Sequence, residues 1–165
     1  MGLADHARLL IEYNTWANEQ ILEKALSLED SALEQEGGGA SKGTILGNLQ
    51  HLASAQDVWL RRWQRKPWRR YEPPARAQIA SAFAESHAAL EDFVRELADD
   101  DWYRIVNYDD TAGNPHAVAL GALITHVVNH GTLHRGEAGM LLAAHGRSPG
   151  DLDFVYFVIE RRAPG

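Results

Sequence analysis

Apolar residues recur at helical spacing along most of the chain, and that spacing predicts four long helices. The first covers about Leu3 to Leu28, built on LLIEYNTWANEQILEKAL, with good helix formers and no Pro or Gly after Gly2. Gly37-Gly38-Gly39 then breaks the chain. The second helix starts at Thr44, an N-cap ahead of Ile45 and Leu46, and stops before Pro67. Its clearest apolar positions are Ile45, Leu49, Leu52, Trp59 and Trp63. The link YEPPAR leads to the third helix, about Ala75 to Leu97, where Ile79, Phe83, Leu90, Phe93, Val94 and Leu97 form one stripe. RIVNY reads as a short strand, half of an irregular hairpin. The fourth helix runs from about Val118 to Ala144, ending at His145-Gly146, where Gly suits the C′ position. A short last helix covers Asp151 to Arg161, with Asp151 and Asp153 capping and positioning it.

Long helices with few strand signals specify an all-α four-helix bundle. The links between helices one and two, and between three and four, are longer than tight turns, as in bundles with crossover connections. With 165 residues and no internal repeat, residues 1–165 read as a single domain.

Composition narrows the function. Hydrophobic residues make up 45% of the chain, so a packed core is expected. There is no cysteine, which excludes disulfides and thiolate metal ligands and fits a cytoplasmic location. No secretory signal and no membrane span are expected. A net charge of −7 argues against nucleic acid as a partner. The local exception is RRWQRKPWRRY, where six basic residues interleave with Trp63, Trp68 and Tyr71. Its plain reading is a helix C-terminus favoured by the macrodipole, followed by a solvated turn.

The candidate chemistry lies in HVVNHGTLHRGEAG. His126, His130 and His134 stand four residues apart and span an arc of about 80° on the fourth helix. Leu123, Leu133, Glu137, Met140, Leu141 and Ala144 fall on or beside that arc, so the ridge is expected to point inward. An i, i+4 imidazole pair can converge on one ion, with further ligands from another helix. Position 131 is Gly, so this is not the HExxH arrangement of zinc proteases. Arg135 either clamps an anionic group or, as the plainer reading, pairs at the surface. His6, His87 and His145 read as surface or helix-end positions, and His116 as a loop residue. Tyr13, Trp16 and Trp59 are candidate pocket-shaping aromatics, with core packing as their plainer role.

HVVNHGTLHRGEAGMLL followed by HGRSPGDLDFVYFV resembles the closing part of DinB-like proteins. In those an H-x-x-x-H pair, an Arg-Gly-Gln, a Gly-Pro turn and an Asp-containing tail follow one another. YNTWANEQIL resembles the first-helix signature of that family, and ILGNLQHLASAQDVWLRRW its second, with His51 eight residues before Trp59. The resemblance spans nearly the whole chain. It implies a DinB/YfiT-type bundle with up-up-down-down connectivity, a divalent metal held by three histidines, and a homodimer. Carried over by motif, the ligands are His51, His130 and His134. Periodicity alone does not select His51, which sits on a shoulder with Ala55 and Val58. His126 is then an extra inward residue one turn earlier, supporting a ligand or lining the access path. This chain has Glu137 where the family has Gln; that carboxylate can orient a ligand, bind the ion, act as a catalytic base or simply form a local salt bridge.

The expected function is therefore that of a divalent-metal-dependent enzyme acting on a small molecule, of thiol S-transferase or hydrolase type. The expected ion is zinc or nickel, with iron, manganese and copper also compatible; all-histidine ligation by itself does not choose among them. The resemblance implies a low-molecular-weight thiol as the cosubstrate class; with no cysteine in the chain, any thiol must arrive with a cosubstrate. The alternative is a metal-binding stress or damage-response protein without turnover.

Overall fold

The computed structural model describes residues 1–67 and 69–162; Trp68, singled out within the basic stretch, lies outside the described residues. Among the described residues six α-helices and a two-stranded antiparallel hairpin, with two short 3-10 turns, make up the fold: α1 (Leu3–Leu26), α2 (Asp30–Leu33), α3 (Ile45–Trp63), α4 (Ile79–Arg95), β1 (Ile105–Asp109), β2 (Pro115–Ala119), α5 (Leu120–Ala144) and α6 (Phe154–Arg162). The expected all-α bundle, the hairpin before the last long helix and the short C-terminal helix are all present. Thr44 caps α3 by accepting from the Gly47 N–H at 2.8 Å. The hairpin pairs Val106 with Val118 and Tyr108 with His116.

Two apolar clusters fill the bundle, one at each end. The upper one joins the C-terminal halves of α1 and α5 (Ile21, Ala25, Ala138, Leu142) to the N-terminal halves of α3 and α4 (Ile45, Leu49, Ile79, Phe83). The lower one joins the opposite halves, with Ala7, Ile11, Trp63, Leu90, Val94 and Ile124. The long helices therefore run up, down, down, up. This corrects the up-up-down-down order implied by the resemblance. The two longer links are not the crossovers: Ser27–Thr44 holds α2 and returns at the same end, and the α4–α5 link holds the hairpin. The link that travels the length of the bundle joins α3 to α4; its residues 69–75 run along α3, tied to it by Arg69–Asp57 at 2.9 Å and by Gln50 donating to the Pro74 carbonyl at 2.9 Å.

Between the two apolar clusters lies a buried polar layer. Gln56 accepts from Asn14 at 2.8 Å and Asn18 at 3.1 Å, and donates to Ser86 at 3.0 Å. Arg135 donates to the side-chain oxygens of Asn14 and Asn18 at 2.9 Å each and to Thr132 at 3.1 Å. It is 2% exposed and pairs with no carboxylate among the described residues. The surface role read for Arg135 is thus replaced by a structural one inside the bundle. His87 is likewise internal at 5% exposure, beside Asn18 at 3.2 Å. Its position continues the stripe Phe83, Leu90, Val94, so periodicity places it inside and only its polarity suggested the surface.

α5 is less one-sided than expected. Its buried positions include Leu120, Ile124, Val127, Gly131, His134 and Ala138, whereas Leu133 and Met140 are 58% and 65% exposed. The histidine ridge therefore sits at the edge of the inner face. His134 is buried, His130 half-buried and His126 exposed.

Candidate metal centre

α3 and α5 pack antiparallel, which sets His51 opposite the His130–His134 pair. The three side chains each offer a ring nitrogen, and these nitrogens all lie within 4.8 Å of one another. His51 Nε2 faces His130 Nε2 at 3.0 Å, and the His51 and His134 ring centres are 4.4 Å apart. Two imidazoles bound tetrahedrally at about 2.0–2.1 Å from one ion hold their nitrogens about 3.3–3.4 Å apart. The His51–His130 pair stands within a few tenths of an ångström of that separation, and the trio, all within 4.8 Å, is compatible with one ion after side-chain adjustment.

Neighbouring groups prepare the ligands. The Nδ1 of His134 lies 3.2 Å from Asn48 Oδ1 and 3.3 Å from Glu137 Oε2. Both are acceptors at a shared nitrogen, so Nδ1 carries the proton and Nε2 keeps its lone pair for a metal. Glu137 in turn accepts from the Ser41 hydroxyl at 2.8 Å. Burial raises its carboxyl, but the hydrogen bonds from Ser41 and the proximity of His134 outweigh this and hold it below the usual carboxylate range.

Burial, then Lys42 and the other two histidines, lowers His51 to about 4. Burial, then His134, His126 and Lys42, does the same to His130. Burial also lowers His134, against the pull of Glu137. All three imidazoles are accordingly neutral near pH 7, the form that binds metal without first losing a proton.

The remaining candidates fall outside the cluster. His126 stacks on His130 at 5.7 Å and meets Trp59 edge-on at 5.0 Å, forming a rim on the exposed side. His116 lies on β2, bonded to Asp110 at 3.1 Å. Tyr13 and Trp16 pack against Phe157 of α6, and the Tyr13 hydroxyl donates to the Leu152 carbonyl at 2.9 Å. Asn48, Ser41 and Lys42 escaped the sequence reading. Asn48 was findable, since it stands three residues before His51, on the adjoining turn of the same helix. Ser41 and Lys42 belong to a loop whose path only the fold defines.

Comparison with known proteins identifies the family and the fold. The chain is 24% identical over 165 residues to the protein DinB of Bacillus subtilis (strain 168), an alignment spanning 94% of this chain and 95% of that one. A crystal structure of a DinB-like protein from Bacillus cereus ATCC 10987 matches with a TM-score of 0.64 and 22% identity, over 86% of this chain and 94% of the other, and supports the fold. The profile of the DinB family matches residues 3–162, so the chain belongs to the DinB family.

Proposed function

We propose that this protein is a divalent-metal-dependent enzyme acting on a small molecule, by thiol transfer or hydrolysis, with His51, His130 and His134 as the ligands. The observation that carries this reading is the convergence of three neutral imidazoles, two of them only half-buried, beside an exposed rim. A structural metal site is normally closed by a fourth protein ligand, whereas a catalytic one keeps a position open to solvent. Among the described residues only these three form such a group. When bound, an ion of this kind supplies Lewis-acid chemistry and lowers the pKa of a ligand water or thiol. All-histidine ligation suits zinc, nickel, iron or copper, and zinc or nickel is the ion proposed.

The chain's own residues orient the ligands and shape the entrance. Asn48 and Glu137 fix the His134 ring. The Glu137 carboxylate, ionised at neutral pH and already engaged by Ser41 and His134, is better suited to positioning than to taking a proton from substrate. His126 and Trp59 border the open side and guide entry. Homodimerisation and a cytoplasmic location complete the reading. The lack of cysteine supports the second, and no helix among the described residues is long and apolar enough to cross a membrane.

The test is elemental analysis of untagged protein beside His51→Ala, His130→Ala and His134→Ala. The parent is expected to hold near-stoichiometric metal and each variant to lose it. A parent with no divalent ion, and no rise in melting temperature on adding one, would end the metal reading. An ion that exchanges no water on relaxation measurements would favour the non-catalytic alternative.

A further inference from the structure

A cleft of about 610 Å³ separates the C-terminal end of α3 from the β1–β2 hairpin, within the size range of small-molecule sites. Arg61, Arg62, Arg65, Lys66 and Arg69 line it, in a chain of net charge −7. Arg69 is paired with Asp57, and the Asp110 carboxylate on the facing wall is taken up by Asn114 and His116. The other four cations have no carboxylate partner among the described residues.

Arg61 donates to the Pro67 carbonyl at 2.7 Å, the Arg62 side chain is held by two rings and a carbonyl, and Arg65 has its main chain fixed. The Arg62 guanidinium lies 4.5 Å from the centre of the Trp59 ring and 4.7 Å from that of Tyr108, and donates to the Asp109 carbonyl at 3.0 Å. Stacking of this kind orients the planar cation while leaving other N–H groups available. Arg65 occupies the turn that ends α3. Lys66 N–H bonds to the Arg61 carbonyl at 2.9 Å and Arg65 N–H to that of Arg62 at 3.1 Å, the two bonds of a Schellman cap. The residue at this position, normally glycine, is Arg65 with φ of 54°. The cap alone favours glycine; arginine there adds a guanidinium to the cleft.

A row of rings runs from the wall of the cleft to the metal centre. Tyr108 meets Trp59 at 5.1 Å between ring centres, Trp59 meets His126 at 5.0 Å, and His126 stacks on His130. Along the α3 axis, Arg62 lies about 16 Å from His51. We infer that the cleft seats the anionic group, phosphate or carboxylate, of an elongated small molecule whose far end reaches the three histidines, with Arg62 and Arg65 setting specificity. The inference rests on the reading of those histidines as a centre acting on small molecules. The negative end of the α3 dipole opposes an anion, but it amounts to about half a charge against several cations.

The test is calorimetric titration of pyrophosphate and, separately, of succinate into His51→Ala protein, so that anion binding is measured apart from the metal. Saturable one-site binding is expected for at least one probe, and the tighter of the two assigns phosphate or carboxylate. Adding Arg62→Gln or Arg65→Gly is expected to weaken it tenfold or more. Arg65→Gly keeps the cap in a conformation glycine favours, so its loss of binding is not a loss of fold. No saturable binding of either anion, or equal binding by both variants and their parent, would overturn the proposal. So would a single-stranded dodecanucleotide that binds where neither small anion does, since it would mark a nucleic-acid surface instead.

Discussion

Asn48 on α3 reaches across the bundle to His134 on α5, placing its side-chain oxygen 3.2 Å from Nδ1 of the imidazole. Together with Glu137, 3.3 Å from the same nitrogen, it keeps the metal-facing Nε2 unprotonated. Removing such a partner from a ligand histidine typically costs 10- to 100-fold in metal affinity. Asn48→Ala is therefore expected to lower affinity by about that factor in competition with a chromophoric chelator, with an unchanged helical circular-dichroism spectrum. Glu137→Gln keeps an acceptor oxygen, so its loss should be under about tenfold. An Asn48→Ala protein with parental affinity would remove Asn48 from the centre.

The acid limb of the stability curve should carry the signature of His87. Burial, reinforced by the Arg135 cation, lowers its pKa from 6.5 to about 4. In the unfolded chain the imidazole takes up a proton that the folded chain refuses, so stability is complete above pH 6.5 and declines as pH falls toward 4. The full decline attributable to this group is about 3 kcal/mol. His87→Gln, which can still bond to Asn18, should flatten that limb in urea unfolding measured across pH. Identical acid limbs in parent and variant would contradict the assignment.

Two glycines on α5 should respond in opposite directions to alanine. A Cβ on Gly131 would stand 2.6 Å from Arg135 Nη1 and 3.0 Å from Asn14 Oδ1, inside the buried polar layer. Gly131→Ala is expected to cost ~1–3 kcal/mol through overpacking. Gly136 has nothing within 4 Å of the same point, so Gly136→Ala should stabilise by ~0.5–1 kcal/mol through helix propensity. Urea midpoints of the two variants, on either side of the parent's, are the check.

Arg135 is held by geometry as much as by charge, because its guanidinium bridges Asn14, Asn18 and Thr132 together. A lysine cannot reproduce that fork. Arg135→Lys is expected to lower stability by ~2 kcal/mol or more, since at least one buried amide oxygen loses its donor. A variant as stable as the parent in urea would show that the layer repacks around an ammonium.

The helices were legible because their apolar periodicity is the same physical quantity that packs them. The Ile79–Leu97 stripe came from that pattern alone, and the Thr44 cap from a side chain able to accept at a helix start. His130 and His134 were legible as a pair from their i, i+4 spacing. His51 was not, since its ring lies on the shoulder of α3 and becomes a partner only when α5 arrives alongside; the family motif supplied it. Polar residues inside the bundle misled in the other direction. Arg135 and His87 look like surface side chains until Asn14 and Asn18, from α1, are seen to satisfy them. Helix direction was equally hidden, because link length does not reveal which link crosses the bundle and which turns back.

The layout that the 64–78 crossover creates has a consequence for how this chain can come apart. The first two long helices, α1 and α3, stand diagonally opposite and meet chiefly through Asn14, Asn18 and Gln56. Helices α4 and α5 are the other diagonal pair. Nearly every apolar contact thus joins the half of the chain before the crossover to the half after it. Neither half can assemble a core unaided, so severing 64–78 should give two fragments that are unstructured separately and regain helicity only when mixed.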